Sequence, residues 1–187
     1  SNKDSREIYQ EILLGLNKIL HVKFSALFSC SSLSKNPEIL SVAHTEKVQQ
    51  PYWHDLSKYQ DLSWESSLLE TLLIEKDSIQ GMCPLALRKT IDPPLLGNET
   101  TLFIPITYGS QPLGFMVLVA EKEKALLDTL HILQTVCYFI GSFIYIRETE
   151  KKKIKVLEDL KAQQKLLENF IHTLPVAVCI LDQKFNY

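Results

Sequence analysis

The sequence predicts an α+β fold: an antiparallel sheet covered by helices on both faces and extended by a long C-terminal helix. Three observations lead there. Thr101–Tyr108 and Leu113–Ala120 are apolar runs flanking Gly109-Ser110, a two-residue turn with glycine first. Both runs carry large apolar residues at odd and even positions: Leu102, Ile104 and Ile106 against Phe103, and Phe115, Val117 and Val119 against Met116 and Leu118. A strand apolar on both sides is covered on both sides. Finally, Glu121 to about Thr173 contains no proline and a single glycine, Gly141, so it reads as one helix.

Taken in order, Asp4 is placed to cap a first helix, with Glu7 as its reciprocal partner. Ile8, Ile12, Leu16 and Ile19 form its stripe, widened by Leu13 and Leu20, and its end is expected near His21. In Val22–Cys30, alternate residues Val22, Phe24, Ala26, Phe28 and Cys30 share one face of a strand. Ser31–Pro37 is turn-rich, and Ile39–Thr45 pairs back as a hairpin. Residues 46–98 are irregular. Pro51, Tyr52, Trp53 and Tyr59 suggest a short helix or packed loop, and Ser63 is placed to cap a helix over Trp64–Glu75. Gly81 reads as a break, residues 84–90 as a helical turn, and Pro93, Pro94, Gly97 and Asn98 as a loop. The first helix and the start of the long one are expected on one face of the sheet. Residues 46–98 are expected on the other, over a ligand pocket.

The long helix is apolar from Leu126 to Ile146 and charged from Arg147 to Glu168. Val136, Phe139, Phe143, Ile146, Leu157, Leu160, Leu167, Ile171 and Leu174 nevertheless hold a and d positions of one heptad frame. Glu150, Lys153 and Gln164 interrupt it. A weak seam of this kind suits a homodimer whose helix pair shifts rather than locks. Thr129–Ile146 lacks Asp, Glu, Lys and Arg, but this run is short for a membrane span and its polar residues cluster in one half. No membrane contact is therefore expected from this segment.

Composition sets further bounds. The chain has 187 residues, 45% hydrophobic, enough for a core, and a net charge of -2, which offers no argument for nucleic acid. Lys151–Lys153 and Lys155 alternate with Glu148, Glu150 and Glu158, as on a solvated helix face. Cys30, Cys83, Cys137 and Cys179 form no CxxC pair and fit no zinc spacing, which points to buried thiols in a reducing, cytoplasmic setting. His21, His44, His54, His131 and His172 show no metal-site spacing. The start, Ser1-Asn2-Lys3-Asp4, is not that of a signal peptide. P-loop, GxGxxG and Gly-x-Ser-x-Gly motifs are absent, so catalytic residues are not assigned, and no cofactor is named. The candidate ligand residues are His44, Trp53, Trp64, Cys83, Phe103 and Met116: two aromatic platforms, a polar strand residue, a thiol and two hairpin residues.

The order helix, hairpin, irregular middle, second hairpin and terminal helix resembles a GAF domain, most closely in Ile104-Pro105-Ile106, the Gly109 turn and Leu113-Gly114. The resemblance covers roughly residues 4–147. It implies a sensory domain that dimerises through its terminal helices and passes a signal to a following domain. Leu166–Asp182, with its Leu174-Pro175 step, looks like the entry to a PAS domain, and Pro175 disfavours helical geometry at Leu174. The implied organisation is a GAF-like domain at 4–147, a coiled-coil linker at 148–173 and the start of a PAS domain at 174–187. This resembles a piece of a bacterial sensor protein, with a histidine kinase or diguanylate cyclase as the missing output. The resemblance also implies what the thiols could do. Some GAF domains use a cysteine near Cys83 to hold a bilin, where a histidine usually follows; here it is Pro84. Others reduce free methionine sulfoxide and need further thiols close by. The Asn-Lys-Phe-Asp-Glu set of the cyclic-nucleotide binders has no counterpart. A thiol reductase using Cys83 and a pocketless dimerisation spacer are the two alternatives.

Overall fold

A computed structural model of the chain describes residues 5–30, 37–45, 56, 58–60, 62–91, 99–121, 126 and 128–173. Two compact units divide it, Ser1–Tyr145 and Ile146–Tyr187. The first begins with α1 (Ser5–Leu20), β1 (Phe24–Ser29) and β2 (Glu38–His44). Next come α2 (Ser66–Glu70), which runs into a π-helical turn at Thr71–Glu75, β3 (Ile79–Met82) and α3 (Leu85–Thr90). Then follow β4 (Thr100–Tyr108), β5 (Gln111–Ala120) and a long helix α4 (Leu130–Thr173), which continues into the second unit. The strands form one sheet in the order β2-β1-β5-β4-β3, and every neighbouring pair is antiparallel.

Both faces of this sheet are covered, as the two-sided apolar hairpin requires. On one face Leu27, Leu102, Ile104, Ile106, Met116 and Leu118 meet Tyr9 and Leu13 of α1 and Leu133, Cys137, Ile140 and Ile144 of α4. On the other, Phe24, Phe28, Phe103, Phe115, Val117 and Val119 meet Tyr59, Leu72, Leu87 and Ile91 of the middle segment. The β1 alternation holds for Phe24, Ala26, Phe28 and Cys30, while Val22, outside the strand, joins the opposite cluster.

Several elements differ from the expected ones. In α1 the buried face is Tyr9, Leu13 and Asn17, and Ile19 is 74% exposed. The helix is rotated relative to the isoleucine stripe because Asn17 is held inside, its Nδ2 donating to the Ala43 carbonyl at 3.1 Å. The hydrogen bond offsets the desolvation of the amide nitrogen, while Asn17 Oδ1 is buried without a partner among the described residues. Leu20 ends the helix and His21 takes a left-handed φ of 52°, close to the expected stop. The proposed cap at Asp4, the Ser31–Pro37 turn apart from Pro37, and the loop at Pro93–Asn98 lie outside the described residues.

In place of one helix over Trp64–Glu75 there are a short α-helix and a π-turn. Trp64 precedes them, and at the N-cap, Glu65, no side chain closes the helix, so Ser63 does not cap it. Gly81 is not a break: it lies inside the edge strand β3, paired with Thr101. That strand is four residues long with one β-branched member, too short for a pattern to show. Pro105 fits a sheet interior because β3 pairs only with Thr100–Phe103, leaving Pro105 past its end.

The long helix begins at Leu130 rather than Glu121, which is a bend. Its start is closed locally: the Thr129 carbonyl accepts from the Ile132 and Leu133 amides at 3.0 Å. Within the first unit its buried face is Leu133, Cys137, Ile140 and Ile144. Val136 and Phe143, assigned to a helix-pair seam, are half-buried against that same core, and Phe143 meets Tyr9 edge-on at 5.7 Å. Phe139, by contrast, is 66% exposed.

Gly141 explains how the helix packs. A Cβ there would fall on the Thr107 carbonyl oxygen, 3.0 Å from its carbon and 3.3 Å from Ile106 Cγ2. Alanine would gain about 1 kcal/mol of helix propensity, but overpacking against backbone costs about 1–3 kcal/mol. Gly141→Ala is therefore expected to lower the thermal midpoint, read by circular dichroism, instead of raising it.

In the second unit the described part is helical through Thr173. Ile146, Ile154, Val156, Leu157, Leu160, Leu166, Leu167, Phe170 and Ile171 are all exposed on it. The polar side chains pair locally, Arg147 with Glu150 at 3.9 Å and Gln164 with Glu168 at 3.0 Å. Residues 174–187, where a strand is expected after Pro175, lie outside the described residues.

Candidate functional site

The edge strand β3 turns into α3 through Cys83-Pro84, and the stretch Ser63–Leu68 passes in front of it. Between them is a cleft of about 550 Å³. Trp64 and Leu68 form one wall, Ile79, Gly81 and Met82 the strand side, Pro84 to Ala86 the helix side, and Phe103 of β4 the back. Exposed Glu65 and Lys89 stand at the rim with opposite charges. Ring packing fixes the indole: Trp64 meets Phe28, Phe115 and Phe103 edge-on, at centroid distances of 4.9, 5.1 and 6.3 Å. These rings come from three different strands. A planar aromatic wall held by edge contacts suits a flat apolar guest.

Of the six candidate ligand residues, the fold brings Trp64 and Phe103 together in the cleft. Cys83 sits just behind its lining, a buried thiol between Met82 and Pro84. His44 is buried elsewhere on the same side of the sheet, edge-on to Phe24 at 5.0 Å, with Nε2 3.4 Å from the Tyr59 hydroxyl. Met116 does not join them: it is fully buried on the opposite face, among the residues that meet α1 and α4. Alternation puts Met116 and Phe115 on opposite sides, and Phe115 is the one facing the aromatic group. Trp53 lies outside the described residues.

Sequence patterns gave no reason to single out Ile79, Met82, Leu85, Glu99 or Thr101. Met82 is 79% exposed at the cleft, an apolar side chain on a strand that is outermost in the sheet among the described residues. The Glu99 carboxylate is fully buried and takes Lys23 Nζ at 3.4 Å, while Glu121 holds the same ammonium at 2.8 Å. The Lys23 pKa is raised, chiefly by the hydrogen bond to Glu121, although burial opposes it. Isolated charges at strand ends carry no periodicity, so this three-residue group is visible only in space.

Cys30, Cys83 and Cys137 are free and buried. Burial pushes the Cys30 thiol up to about 11 and the Cys137 thiol further. It also raises Cys83, where the Thr101 hydroxyl and Arg88 partly offset the effect and Glu99 adds to it. Cys30 donates its amide to Leu113 at one end of β5, while Cys83 follows Met82, which lies across Thr100 from Ala120 at the other. At about 3.4 Å per residue those ends are roughly 24 Å apart along the strand. Cys137 is on the opposite face of the sheet. Among the described residues, no group of three His, Cys, Asp or Glu side chains is placed to hold a metal ion.

The thiols make one measurable demand on pH. A buried thiol that keeps its proton stabilises the fold while the unfolded chain is also protonated. That contribution falls as pH rises through the unfolded value near 9 towards the folded one near 11. For Cys30 the loss is on the order of 2–3 kcal/mol. Denaturant midpoints should drop between pH 9 and 11, and Cys30→Ala should flatten that slope.

The sequence matches no family model, and no curated protein matches it. Solved structures do resemble it. The A. aeolicus nlh2 GAF domain in an inactive state is 14% identical, covering 79% of this chain and 88% of its own, with a TM-score of 0.58. The GAF domain/HD domain protein from Geobacter sulfurreducens is 14% identical over 78% of this chain and 97% of its own, with a TM-score of 0.52. The GAF domain of a phosphoenolpyruvate-protein phosphotransferase from Coxiella burnetii is 14% identical over 78% and 84%, with a TM-score of 0.53. At such identities the likeness speaks for the fold, and the chain has the fold of GAF domains.

Proposed function

We propose that this chain is a non-catalytic sensory module of a bacterial, cytoplasmic signal-transduction protein. In this reading a small molecule enters the cleft beside Trp64 and Phe103. Its binding shifts the balance between two arrangements of a helix pair formed by two copies of α4. The helices relay that balance to a PAS domain beginning near Leu174 and to an output domain, a histidine kinase or diguanylate cyclase. A ligand shifts such an equilibrium only by its preference between the two states.

The observation that carries the reading is the apolar strip on α4 beyond Tyr145. Ile146, Leu157, Leu160, Leu167 and Ile171 are all exposed and share one heptad frame. A solvated helix with no partner has no use for such a strip. By length and composition the helix is also apolar enough to cross a membrane over part of Leu130–His172. Leu133, Cys137, Ile140 and Ile144 of that helix are buried against the sheet, although only 28% of the apolar stretch is buried in this way. The placement of Cys30 and Cys83 at opposite ends of β5 favours sensing over a thiol-reductase reading that pairs those two. The cleft favours sensing over a pocketless spacer. Sedimentation velocity of the whole chain at tens of micromolar tests the relay: a dimer is expected, and a monomer at every concentration removes it.

A further inference from the structure

Behind the strand side of the cleft, covered by its lining, is a buried hydroxyl. Thr101 Oγ1 is completely buried and has no hydrogen-bond partner among the described residues. Its one polar contact among the described residues is the Cys83 thiol, whose pKa it helps to lower, and a thiol is a weak hydrogen-bond partner that leaves the hydroxyl largely unsatisfied. Sheet register shows what else is adjacent. Thr101 is directly opposite Gly81, and Phe103 is opposite Ile79. Directly opposed residues of an antiparallel pair share a face, so Thr101 and Gly81 face the same way as Phe103 and Ile79, which line the cleft. Gly81 lines it too, and a Cβ there would meet nothing within 4 Å. Every other strand position here carries a side chain; at Gly81 its absence leaves open space on the flank of Thr101. A buried hydroxyl with nothing to bond costs about 1–3 kcal/mol, and it stands next to the only side-chain-free position of the strand.

We infer that Thr101 is the specificity-determining residue of this cleft. The guest it selects is a flat, largely apolar molecule of bicyclic size with one hydroxyl or ring N–H at its inner end. Trp64 and Phe103 take the apolar body, and the polar end passes over Gly81 to reach Thr101 Oγ1. Discrimination then comes from the hydroxyl, because a guest without a polar end leaves Thr101 as unsatisfied as before. The inference rests on the cleft being a ligand site, as proposed above, and the test separates the two.

The probes are naphthalene and 2-naphthol, which differ by one hydroxyl, titrated against the whole chain by ligand-observed NMR. The expected result is a roughly tenfold or greater preference for 2-naphthol. In Thr101→Val that preference should fall to within about twofold. Gly81→Leu should weaken both probes. Equal binding of the two probes to the unmodified chain, with Trp64→Ala abolishing both, would overturn the role of Thr101 and leave the cleft as a ligand site. Binding of neither probe, or binding that Trp64→Ala and Gly81→Leu both leave intact, would overturn the cleft reading and this inference with it. A second readout needs no ligand: Thr101→Val should raise the thermal midpoint of the free chain. A lowered midpoint would mean that the hydroxyl already has a partner, and the inference would fall.

Discussion

Replacing Gly114 with valine should prevent the first unit from folding. Gly114 is in β5 at a φ of 156°, in the range that side chains rarely adopt. A Cβ at this position would fall on the Phe28 carbonyl oxygen and lie 2.9 Å from both the Phe28 carbonyl carbon and Ser29 Cα. These are backbone atoms of β1, held by the β1–β5 ladder in which Ser29 pairs with Gly114 and Phe28 with Phe115. Neither strand can move aside without breaking the centre of the sheet. Strain at such a φ costs about 1–3 kcal/mol, and forced overpacking adds about as much. The sum, about 2–6 kcal/mol, compares with a total stability of about 5–15 kcal/mol for an ordinary domain. Gly114→Val is expected to lose its near-ultraviolet dichroism and its cooperative denaturant transition, and Gly114→Ala to lose most of its stability. Gly15 is the control, since a Cβ there meets nothing within 4 Å and α1 gains propensity. Should Gly114→Val unfold as cooperatively as Gly15→Ala, the assigned β1–β5 register is wrong.

The second large effect concerns association. In the dimer proposed above, Leu157→Glu with Leu160→Glu should yield a monomer without disturbing the sheet domain. Both leucines are exposed in the single chain and occupy successive a and d positions. Burying a leucine side chain contributes about 1.5–3 kcal/mol, and two copies place four of them in one seam. Substitution removes that burial and sets four carboxylates together in its place. An increase of at least about a hundredfold in the dissociation constant follows, each 1.4 kcal/mol being a factor of ten. Glutamate is a good helix former, so the helix itself should persist. Sedimentation velocity and far-ultraviolet dichroism together read the result. Lys153→Leu should act the other way and tighten the pair, because it fills a d position that is now charged. A double variant that sediments like the unmodified chain would place the contact, if there is one, on another face.

The two strand patterns around β1 and the β4–β5 hairpin were the most legible parts of the sequence. Phe24, Ala26, Phe28 and Cys30 fall on one face as alternation requires, and Gly109 takes the positive φ of 58° that its turn needs. The two-sided covering of the sheet was legible for the same reason, since Phe103 and Ile104 cannot both be buried against one layer. What misled was the assumption that apolar means inward. In α1 a hydrogen bond to Ala43 draws Asn17 inside and turns Ile19 out. In α4 the heptad count could not tell residues facing the sheet from residues facing outward: Phe143, placed on the seam, is half-buried and also packs on Tyr9.

By itself the sequence determined the segments with a sustained period, namely α1, the β1–β2 and β4–β5 hairpins and the body of α4, because periods of two and of three to four residues are local properties of the chain. It also determined that the sheet is covered on both faces and that the last helix carries an apolar strip into charged surroundings. Tertiary structure alone decided the rest. It put β3 on the sheet edge, brought Trp64 over Phe103, sent Met116 to the opposite face, and left Thr101 buried beside a glycine. Each of those outcomes depends on register or on a hydrogen bond between residues far apart in sequence, and neither leaves a mark on the residues taken one segment at a time.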